Sequence, residues 1–373
     1  MHECVISGTG LWVPTERITN AELVASLTAA TERWNLEHKA LIEAGTCEAR
    51  DLPSERFIVK ASGVENRYVI EKQGVLDPER LRPHLRTRGE DEPGIQCEIS
   101  VAAVREALAQ AGRRPDEVDA VLVACSNLQR AYPAVAIEVQ NALGASGWAY
   151  DLNVACSSAT FGMQAAVDAV ARGNARCAVV VNPELTSGHT NFEMRDYHFI
   201  FGDACTATVI EPARTCRAEA AFEVLGTRLV TKFSNNIRND FGFLNRCEDD
   251  AREPHELLFR QNGRKVFREV CPMVALLIKD HLRDLGLEPS QLRRMWLHQA
   301  NLAMNQLIAK TVLGRPAQSD EAPVILDEFA NTSSAGSVIA FHRHRADLTP
   351  GDLGVICSFG AGYSIGSVVV RRR

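Results

Sequence analysis

The sequence predicts an α/β fold in five layers, α-β-α-β-α, with two mixed, mostly parallel sheets. Short apolar runs of strand length recur along the chain, among them AVLVA, CAVVV, TATVI, LGVIC and SVVV. Runs that are apolar at every residue are typical of strands buried on both faces, as in sheets covered by helices. Helix-like segments separate these runs, and several segments recur in the same order in both halves of the chain, which indicates a duplicated α/β unit.

Three pairs of segments carry the repeat. Residues 107–127 align with residues 281–301 without a gap, and each segment reads as a helix, a Gly stop, a short loop and a buried strand. The tripeptide SSA opens a helix-like segment at 157–159 and again at 333–335. VISGTG and EVLGTR are each expected to begin the first strand of a half. With a boundary in the polar stretch PARTCRAEA, the predicted halves are residues 1–212 and 213–373.

Composition indicates a globular protein without a broad electrostatic attraction for nucleic acid or an anionic membrane. The chain has 373 residues, of which 46% are hydrophobic, and its formal net charge is -6. The 11 cysteines occur singly, without a CxxC pair or a close Cys/His cluster. No apolar run approaches the ~20 residues that span a bilayer, and the start of the chain does not read as a signal peptide. We therefore expect a reduced, cytoplasmic protein without structural disulfides or metal, and without nucleic-acid or membrane partners.

Cys156 is the strongest candidate for a catalytic group. It lies in DLNVACSSATFGMQAAVDAV, between a strand-like apolar run and a helix-like run of small residues. A thiol at the first turn of a helix faces free backbone N–H groups and the positive end of the helix dipole, and both favour the thiolate. The sequence therefore predicts a strand that delivers a nucleophilic thiol onto a buried helix. The alternative is a buried structural cysteine.

Four motifs carry a resemblance to a known family. They are NVACSSATFG around Cys156, WLHQANLAMN around His298, ANTSSAGS around Asn331, and SFGAGYSIGSVVV near the C-terminus. FIFGDACTATVI and AYPAVAIEVQNALG match further family segments. With these motifs in this order, the chain resembles the thiolase superfamily and, within it, β-ketoacyl-acyl-carrier-protein synthase III, the initiating condensing enzyme of fatty acid synthesis. Only residues 22–56 and 71–95 look like additions to the family pattern.

The resemblance implies roles for three side chains and two backbone groups. Cys156 is the nucleophile that accepts an acyl group, and His298 and Asn331 are neutral donors that stabilise the charge formed when a malonyl thioester loses CO₂. Loss of one such donor typically costs ~10²–10³ in rate. The backbone N–H groups of Cys156 and Ala361 are expected to form the oxyanion hole. Taken alone, a His at the end of a strand is more often a hydrogen-bonded structural residue.

The reaction implied by the resemblance is a decarboxylative Claisen condensation of an acyl thioester, such as acyl-coenzyme A, with malonyl-acyl carrier protein. Coenzyme A and phosphopantetheine enter as substrate carriers, and no cofactor is expected. Acyl transfer to an alcohol or amine and head-to-head condensation of two acyl chains would use the same cysteine and stay open. A catalytically weak partner subunit and a Cys-His-Asn hydrolase are alternatives from other classes. The complete set of catalytic residue types disfavours the first, and the repeat disfavours the second.

The sequence departs from the family pattern where substrates enter. Ala361 replaces the middle residue of a Gly-Gly-Gly loop, so a left-handed backbone conformation would be costly there. Ala303 and Ala61 stand where the family has basic residues, and Phe57 stands at the position of a Trp that stacks on coenzyme A. Other cations are therefore expected to bind the carrier. The alternative is that these cations only belong to solvated helix surfaces. The candidates are Arg264, Lys265, Arg268 and Lys310.

Two features bear on acyl chain length and assembly. In the family, an aromatic residue from the neighbouring subunit of a homodimer closes the acyl pocket, and Tyr132 matches this position. Residues 22–56 add an amphipathic helix, and its apolar face is expected to cap an acyl tunnel and to favour medium-chain donors. An embellishment of the dimer surface is the alternative for this addition.

Overall fold

The computed structural model describes residues 2–250 and 252–373 and alternates strands with helices along the chain. The strands are β1 (Cys4–Trp12), β2 (Glu16–Thr19), β3 (Asn66–Val69), β4 (Ala120–Ala124), β5 (Trp148–Leu152), β6 (Ala178–Glu184), β7 (Ala204–Pro212), β8 (Phe222–Ser234), β9 (Ile237–Arg238), β10 (Arg260–Gln261), β11 (Leu292–Leu297), β12 (Leu353–Gly360) and β13 (Gly362–Arg372). The helices are α1 (Asn20–Glu37), α2 (Lys39–Glu43), α3 (Glu55–Ser62), α4 (Gln73–Leu76), α5 (Ile95–Ala111), α6 (Val135–Leu143), α7 (Ser158–Ala171), α8 (Gly263–Asp284), α9 (Leu302–Leu313), α10 (Leu326–Phe329) and α11 (Ala335–Arg343).

Nine strands form one mixed sheet in the order β11-β12-β13-β8-β1-β7-β6-β4-β5. The predicted α/β class is confirmed, and two details of the prediction are corrected. The sheet is continuous rather than double, because β1 and β8 pair at Val5–Glu223 and Ile6–Phe222. It is also not mostly parallel, since five of the eight neighbouring strand pairs are antiparallel. Apolar runs indicate burial on both faces but carry no information about strand direction.

The helices and the two ends of the sheet form the five layers that were predicted, because each end of the sheet lies between two layers of helices. Helices α7 and α11 lie in the middle and contact strands from both ends of the sheet, while α5 and α6 cover one outer face and α8 and α9 the other. Small residues let α7 lie close to the strands. A Cβ on Gly162 would stand 2.8 Å from Cγ1 of Val180 and 3.0 Å from Cβ of Ala124. The starts of α7 and α11 are therefore held together in the centre of the protein.

The two ends of the sheet share one strand order. Strands β4, β6, β7 and β1 follow one another in parallel, antiparallel and antiparallel pairs, and β11, β12, β13 and β8 do the same. A duplicated unit accounts for this match. Residues 213–221 connect β7 to β8, and the boundary between residues 212 and 213 stays a prediction. No helix within residues 2–250 and 252–373 is long and apolar enough to cross a membrane.

Candidate active site

A cavity of about 740 Å³ brings together the three side chains predicted to act in catalysis. Cys156 comes from the turn before α7, His298 follows β11, and Asn331 follows α10. The walls of the cavity are largely apolar and aromatic, with contributions from Phe199, Ile200, Phe201, Phe259, Phe267 and Phe359. The cavity therefore joins residues that are far apart in the sequence into one site.

Cys156 stands in a tight turn between β5 and α7. The residue before it, Ala155, has a φ of 47°, a left-handed conformation that is rare for a residue with a side chain. The turn is closed by Ser158, whose Oγ accepts a 2.8 Å hydrogen bond from the N–H of Val154 and donates to the carbonyl of Ala155 at 2.7 Å. This backbone strain is characteristic of functional sites, where the surrounding structure holds it in place.

Cys156 is protonated in this structure, whereas the sequence predicts a thiolate. Burial raises the pKa of Cys156 to about 11, with a smaller upward contribution from the charge of Glu184. The hydroxyl of Ser333 and the backbone N–H groups of Ala361 and Cys156 act to lower this pKa but do not outweigh burial. The expectation from the helix start is therefore wrong, because the desolvation cost of an ion here exceeds what the nearby donors return.

The same donors support the predicted oxyanion hole. The N–H groups of Cys156 and Ala361 both act on the sulfur, so both lie beside the atom to which an acyl group would be attached. Ala361 does not take a left-handed conformation; the positive φ in this loop, 130°, belongs to Gly362. The strain expected from the Ala substitution is therefore absent. The positions of these two N–H groups agree with their predicted role in an oxyanion hole. The role itself stays a prediction.

His298 is neutral and nearly enclosed. Its side chain is buried, its backbone N–H donates to the carbonyl of Cys357 at 2.8 Å, and its ring stands edge-on to Phe359 at 5.1 Å. Burial lowers the pKa of His298 to about 4, although the backbone of Ser333 acts in the opposite direction. Within the described part of the chain, Nδ1 has no hydrogen-bond partner. A neutral imidazole is thus available to substrate over the physiological pH range.

Asn331 is held by both backbone and side chain. Its N–H donates to the carbonyl of Ile200 at 3.0 Å, and its carbonyl accepts from the N–H of Gly202 at 3.1 Å. Its side-chain Oδ1 accepts from the N–H of Ser333 at 2.9 Å. Since the oxygen is engaged in this way, the amide Nδ2 is the group left to donate into the cavity. The flanking residues Ala330 and Ser333 have φ values of 54° and 49°.

The predicted substrate-binding residues divide into two groups. Phe57 and Arg264 line the cavity, together with Ala61 and Ala303. The remaining candidates do not line it: Tyr132 is 85% exposed, and the cations Lys265, Arg268 and Lys310 are exposed on α8 and α9.

The prediction for the first addition is corrected. No residue of 22–56 lines the cavity, so α1 does not cap an acyl tunnel. Instead Leu23 of α1 packs with Ile58 of α3 in the cluster that also contains Phe199 and Phe201. The apolar face of α1 is occupied by these contacts. The helix therefore packs behind the residues that form the cavity wall.

Sequence reasoning missed two charged residues that contact neighbours of the site without lining the cavity. Arg195 lies over the ring of Phe57, 4.7 Å from its centroid, and pairs with Asp51 at 3.2 Å. Glu184 is a buried carboxylate at the end of β6 that faces the turn of Asn331. Arg195 falls four residues before the motif FIFGDACTATVI, and Glu184 lies three residues after the apolar run CAVVV, but neither is distinguished by its own sequence pattern. Within the described residues no group of His, Cys, Asp and Glu could hold a metal ion.

Comparisons with known proteins agree on one class. A family model for 3-oxoacyl-[acyl-carrier-protein (ACP)] synthase III matches residues 150–232, and the model for its C-terminal part matches residues 282–372. The fold matches the crystal structure of 3-oxoacyl-[acyl-carrier-protein] synthase III from Aquifex aeolicus with a TM-score of 0.76 and 22% identity, covering 99% of both chains. It matches the priming β-ketosynthase of the R1128 polyketide pathway with a TM-score of 0.77 and 21% identity, covering 99% of this chain and 96% of that one.

Relatives with curated names specify the family. The chain is 55% identical over 347 residues to "Beta-ketodecanoyl-[acyl-carrier-protein] synthase" of Pseudomonas aeruginosa, which covers 93% of this chain and 99% of that protein. It is 27% identical over its full length to "Beta-ketoacyl-[acyl-carrier-protein] synthase III" of Granulibacter bethesdensis, also covered in full. The fold is thus that of the thiolase-like condensing enzymes. The chain belongs to the 3-oxoacyl-acyl-carrier-protein synthase III family, and it is an acyltransferase of fatty acid biosynthesis.

The raised pKa predicts the pH profile of Cys156 alkylation. Below a pKa of about 11 the thiolate fraction grows about tenfold per pH unit, so the rate of alkylation by iodoacetamide should keep rising from pH 7 to pH 10. Peptide mass spectrometry separates Cys156 from exposed Cys247, which reports reagent decay in the same sample. A rate that levels off below pH 8 would show that the thiolate is stabilised after all.

Proposed function

We propose that Cys156 accepts an acyl group from a medium-chain acyl-coenzyme A and that the acyl-enzyme then condenses with malonyl-acyl carrier protein to give a 3-ketoacyl product. The observation that supports this most is the convergence of a thiol, a neutral imidazole and an amide donor in one apolar cavity. Neutral groups suit the two thioester carbonyls that react here, because the site itself holds no ion at these three side chains that must be stripped of water before a substrate enters.

In the first half-reaction, the sulfur of Cys156 attacks the acyl carbonyl and the thioester bond to coenzyme A breaks. The thiol proton passes through the neutral His298 ring to the departing thiolate, so a standing thiolate is not required. The N–H groups of Cys156 and Ala361 receive the carbonyl oxygen as it gains negative charge. The new thioester is as reactive as the old one, which keeps the acyl group available for the second step.

In the second half-reaction, the malonyl group loses CO₂ and the electrons of the broken C–C bond move onto the thioester oxygen. His298 and Nδ2 of Asn331 donate hydrogen bonds to this oxygen. The resulting carbanion attacks the carbonyl of acyl-Cys156 and a C–C bond forms. The bond to the sulfur breaks, the cysteine leaves as a thiolate, and it takes up a proton from solvent because its first proton left with coenzyme A. Because both donors are neutral, they stabilise the enolate without transferring a full proton to it.

The name of a relative and the carbon count of the reaction support the proposed length of the acyl donor. A β-ketodecanoyl product has ten carbons, and malonyl contributes two after decarboxylation, so the Pseudomonas aeruginosa protein is named for a product of an eight-carbon donor. For this chain, the aromatic walls of a cavity of about 740 Å³ support a donor of similar length. The inserted helix α1 is not the cause, because the wall residues belong to other elements.

Exposed cations on three helices that contribute to the cavity wall support a site for the acidic carrier protein and its phosphopantetheine. Arg264, Lys265 and Arg268 on α8 and Lys310 on α9 are exposed, and none of them forms an ion pair with a described residue. Two further exposed cations without an ion pair in the described chain, Arg56 and Lys60, flank Phe57 on α3. In a protein of net charge -6, such a group of free cations is a local attraction for acidic partners.

The chain is also proposed to act as a homodimer in which Tyr132 of one copy reaches the site of the other. Strand β5 forms the outer edge of the sheet, and its Trp148 and Tyr150 rings stack 5.7 Å apart and remain partly exposed. An open edge with an apolar face is suited to pairing with a second strand. Sedimentation equilibrium tests this, and a species of a single 40.9 kDa chain at micromolar concentration would contradict it.

The proposed reaction predicts the outcome of a donor panel. Incubation with acyl-coenzyme A of two to sixteen carbons should acylate Cys156 best near eight carbons, since that chain fills the apolar cavity. Addition of malonyl-acyl carrier protein should then release CO₂ and a 3-ketoacyl product. Intact-protein mass spectrometry measures the first step, and Cys156→Ser is the blank. Acetyl as the best donor would refute the chain length, and acylation without a ketoacyl product would refute the condensation.

Asn331→Ala should separate the two half-reactions. The variant removes a donor to the malonyl thioester oxygen and leaves Cys156 and its oxyanion N–H groups in place. Condensation by pre-acylated enzyme is expected to fall by ~10²–10³, whereas acylation stays close to wild type. Stopped single-turnover reactions measure both steps. Equal losses in the two steps would assign Asn331 to the structure of the whole site instead.

Charge reversal should identify the carrier surface. Arg268→Glu and Lys310→Glu are expected to raise KM for malonyl-acyl carrier protein and to spare acylation by acyl-coenzyme A, with an effect that shrinks at high salt. Lys279→Glu on the same helix is the matched control, since it lies about 16 Å further along α8. An equal effect of all three substitutions on KM would place the carrier elsewhere.

A further inference from the structure

Glu184 is a buried carboxylate that the reaction described above does not use. It is the last residue of β6 and is 1% exposed. Its Oε1 accepts from the N–H of Ser126 at 3.0 Å, from the N–H of Ser334 at 3.2 Å and from the hydroxyl of Ser334. Its Oε2 accepts from the hydroxyl of Ser126 at 2.5 Å and from the thiol of Cys125 at 3.6 Å. Every partner is a donor, as an ionised carboxylate requires.

These partners belong to opposite halves of the chain. Ser126 follows β4, near the turn of Cys156, while Ser334 is the N-cap residue of α11 and closes the turn that carries Asn331. The hydroxyl of the neighbouring Ser333 lies near enough to Cys156 to act on the pKa of its thiol. Glu184 therefore bridges the strand end of one half and the asparagine turn of the other.

The asparagine turn needs such an anchor. Ala330 and Ser333 both have positive φ, and residues with side chains keep this conformation only when their surroundings enforce it. Charge-assisted hydrogen bonds are about twice as strong as neutral ones, so two of them on Ser334 fix the end of the turn firmly. Loss of this anchor would let the amide of Asn331 drift from the place where the malonyl oxygen must bind.

We propose that Glu184 is a positioning residue: as an ionised carboxylate, it clamps the Asn331–Ser334 turn onto the half that carries Cys156 and so sets the relative position of the amide donor and the thiol. The inference rests on the condensation proposed above, in which these two groups act on the same pair of substrates.

The clamp has an electrostatic consequence at the nucleophile. The charge of Glu184 acts on Cys156 and raises its pKa. The other titratable groups that face Glu184 are the thiols of Cys125 and Cys205, and burial raises the pKa of both above the usual range. Burial also raises the pKa of Glu184, which the serine donors counteract. Removal of the charge alone should therefore make Cys156 more acidic while it loosens Asn331.

Glu184→Gln separates charge from shape. The Gln carbonyl can take the place of Oε1 and accept from Ser126 and Ser334, while its NH₂ takes the place of Oε2, where the Ser126 hydroxyl can turn to accept. Asp203→Asn is the matched control. Asp203 is also fully buried and also accepts N–H and hydroxyl hydrogen bonds, at 2.8 Å and 2.6 Å from Ser187, but its charge is not among the contributions to the pKa of Cys156.

The experiment measures alkylation and condensation in the same proteins. At pH 8, Glu184→Gln should react faster with iodoacetamide at Cys156, by about threefold for each unit that the pKa falls, because more thiolate outweighs its lower nucleophilicity. Condensation by the pre-acylated variant should fall by about tenfold or more. Ser334→Ala keeps the charge but loses one anchor, so it should slow condensation without faster alkylation. Thermal unfolding checks that each variant is folded.

Three results would overturn the inference: alkylation of Glu184→Gln no faster than wild type, condensation by Ser334→Ala at the wild-type rate, or the same two changes in Asp203→Asn. If Glu184→Gln does not fold, Ser334→Ala decides the question. The alkylation arm needs no malonyl substrate. A wild-type enzyme that is acylated but forms no ketoacyl product would therefore contradict the proposed function and leave the charge effect on Cys156 measurable.

Discussion

The close approach of β12 to the turn of Cys156 is the contact on which the site depends. A Cβ on Gly360 would lie 2.6 Å from Cβ of Cys156 and 3.1 Å from Sγ, so only glycine permits this distance. The contact brings the N–H of Ala361 from one end of the sheet against a sulfur that belongs to the other end. The two ends of the sheet thus meet at the sulfur of Cys156, the predicted nucleophile.

Burial then decides the protonation of the whole site. Enclosure holds Cys156 as a thiol and His298 as a neutral imidazole, although each stands near groups that would favour its ion. The charge that acts on Cys156, that of Glu184, is surrounded by serine donors rather than exposed to substrate. A site of this kind binds thioesters through shape and oriented dipoles. Inside the protein, hydrogen-bond donors surround the charge of Glu184. The role of the exposed cations in binding a carrier protein stays a prediction.

The sequence predicted much of this arrangement, and the features that it did not predict each have a physical reason. The motifs around Cys156, His298 and Asn331 predicted residues that do share a cavity, because each motif pairs a polar residue with a strand or helix end. The repeat predicted a doubled unit, and the strand order agrees with it. Strand direction was not predictable, since residues buried on both faces look the same in either direction. The thiol's pKa was missed because a linear sequence shows the helix start but not the depth of burial.

The strand order shared by the two ends of the sheet has a consequence for how such a site can specialise. When SSA of α7 is matched with SSA of α11, Cys156 corresponds to Thr332, a buried residue beside Asn331. Two identical chains related by symmetry would have to carry the same residue at both turns, either two thiols or two hydroxyls. A single chain is free of that restriction. One turn can keep the nucleophile while the other loses it and supplies the donor that waits for the second substrate.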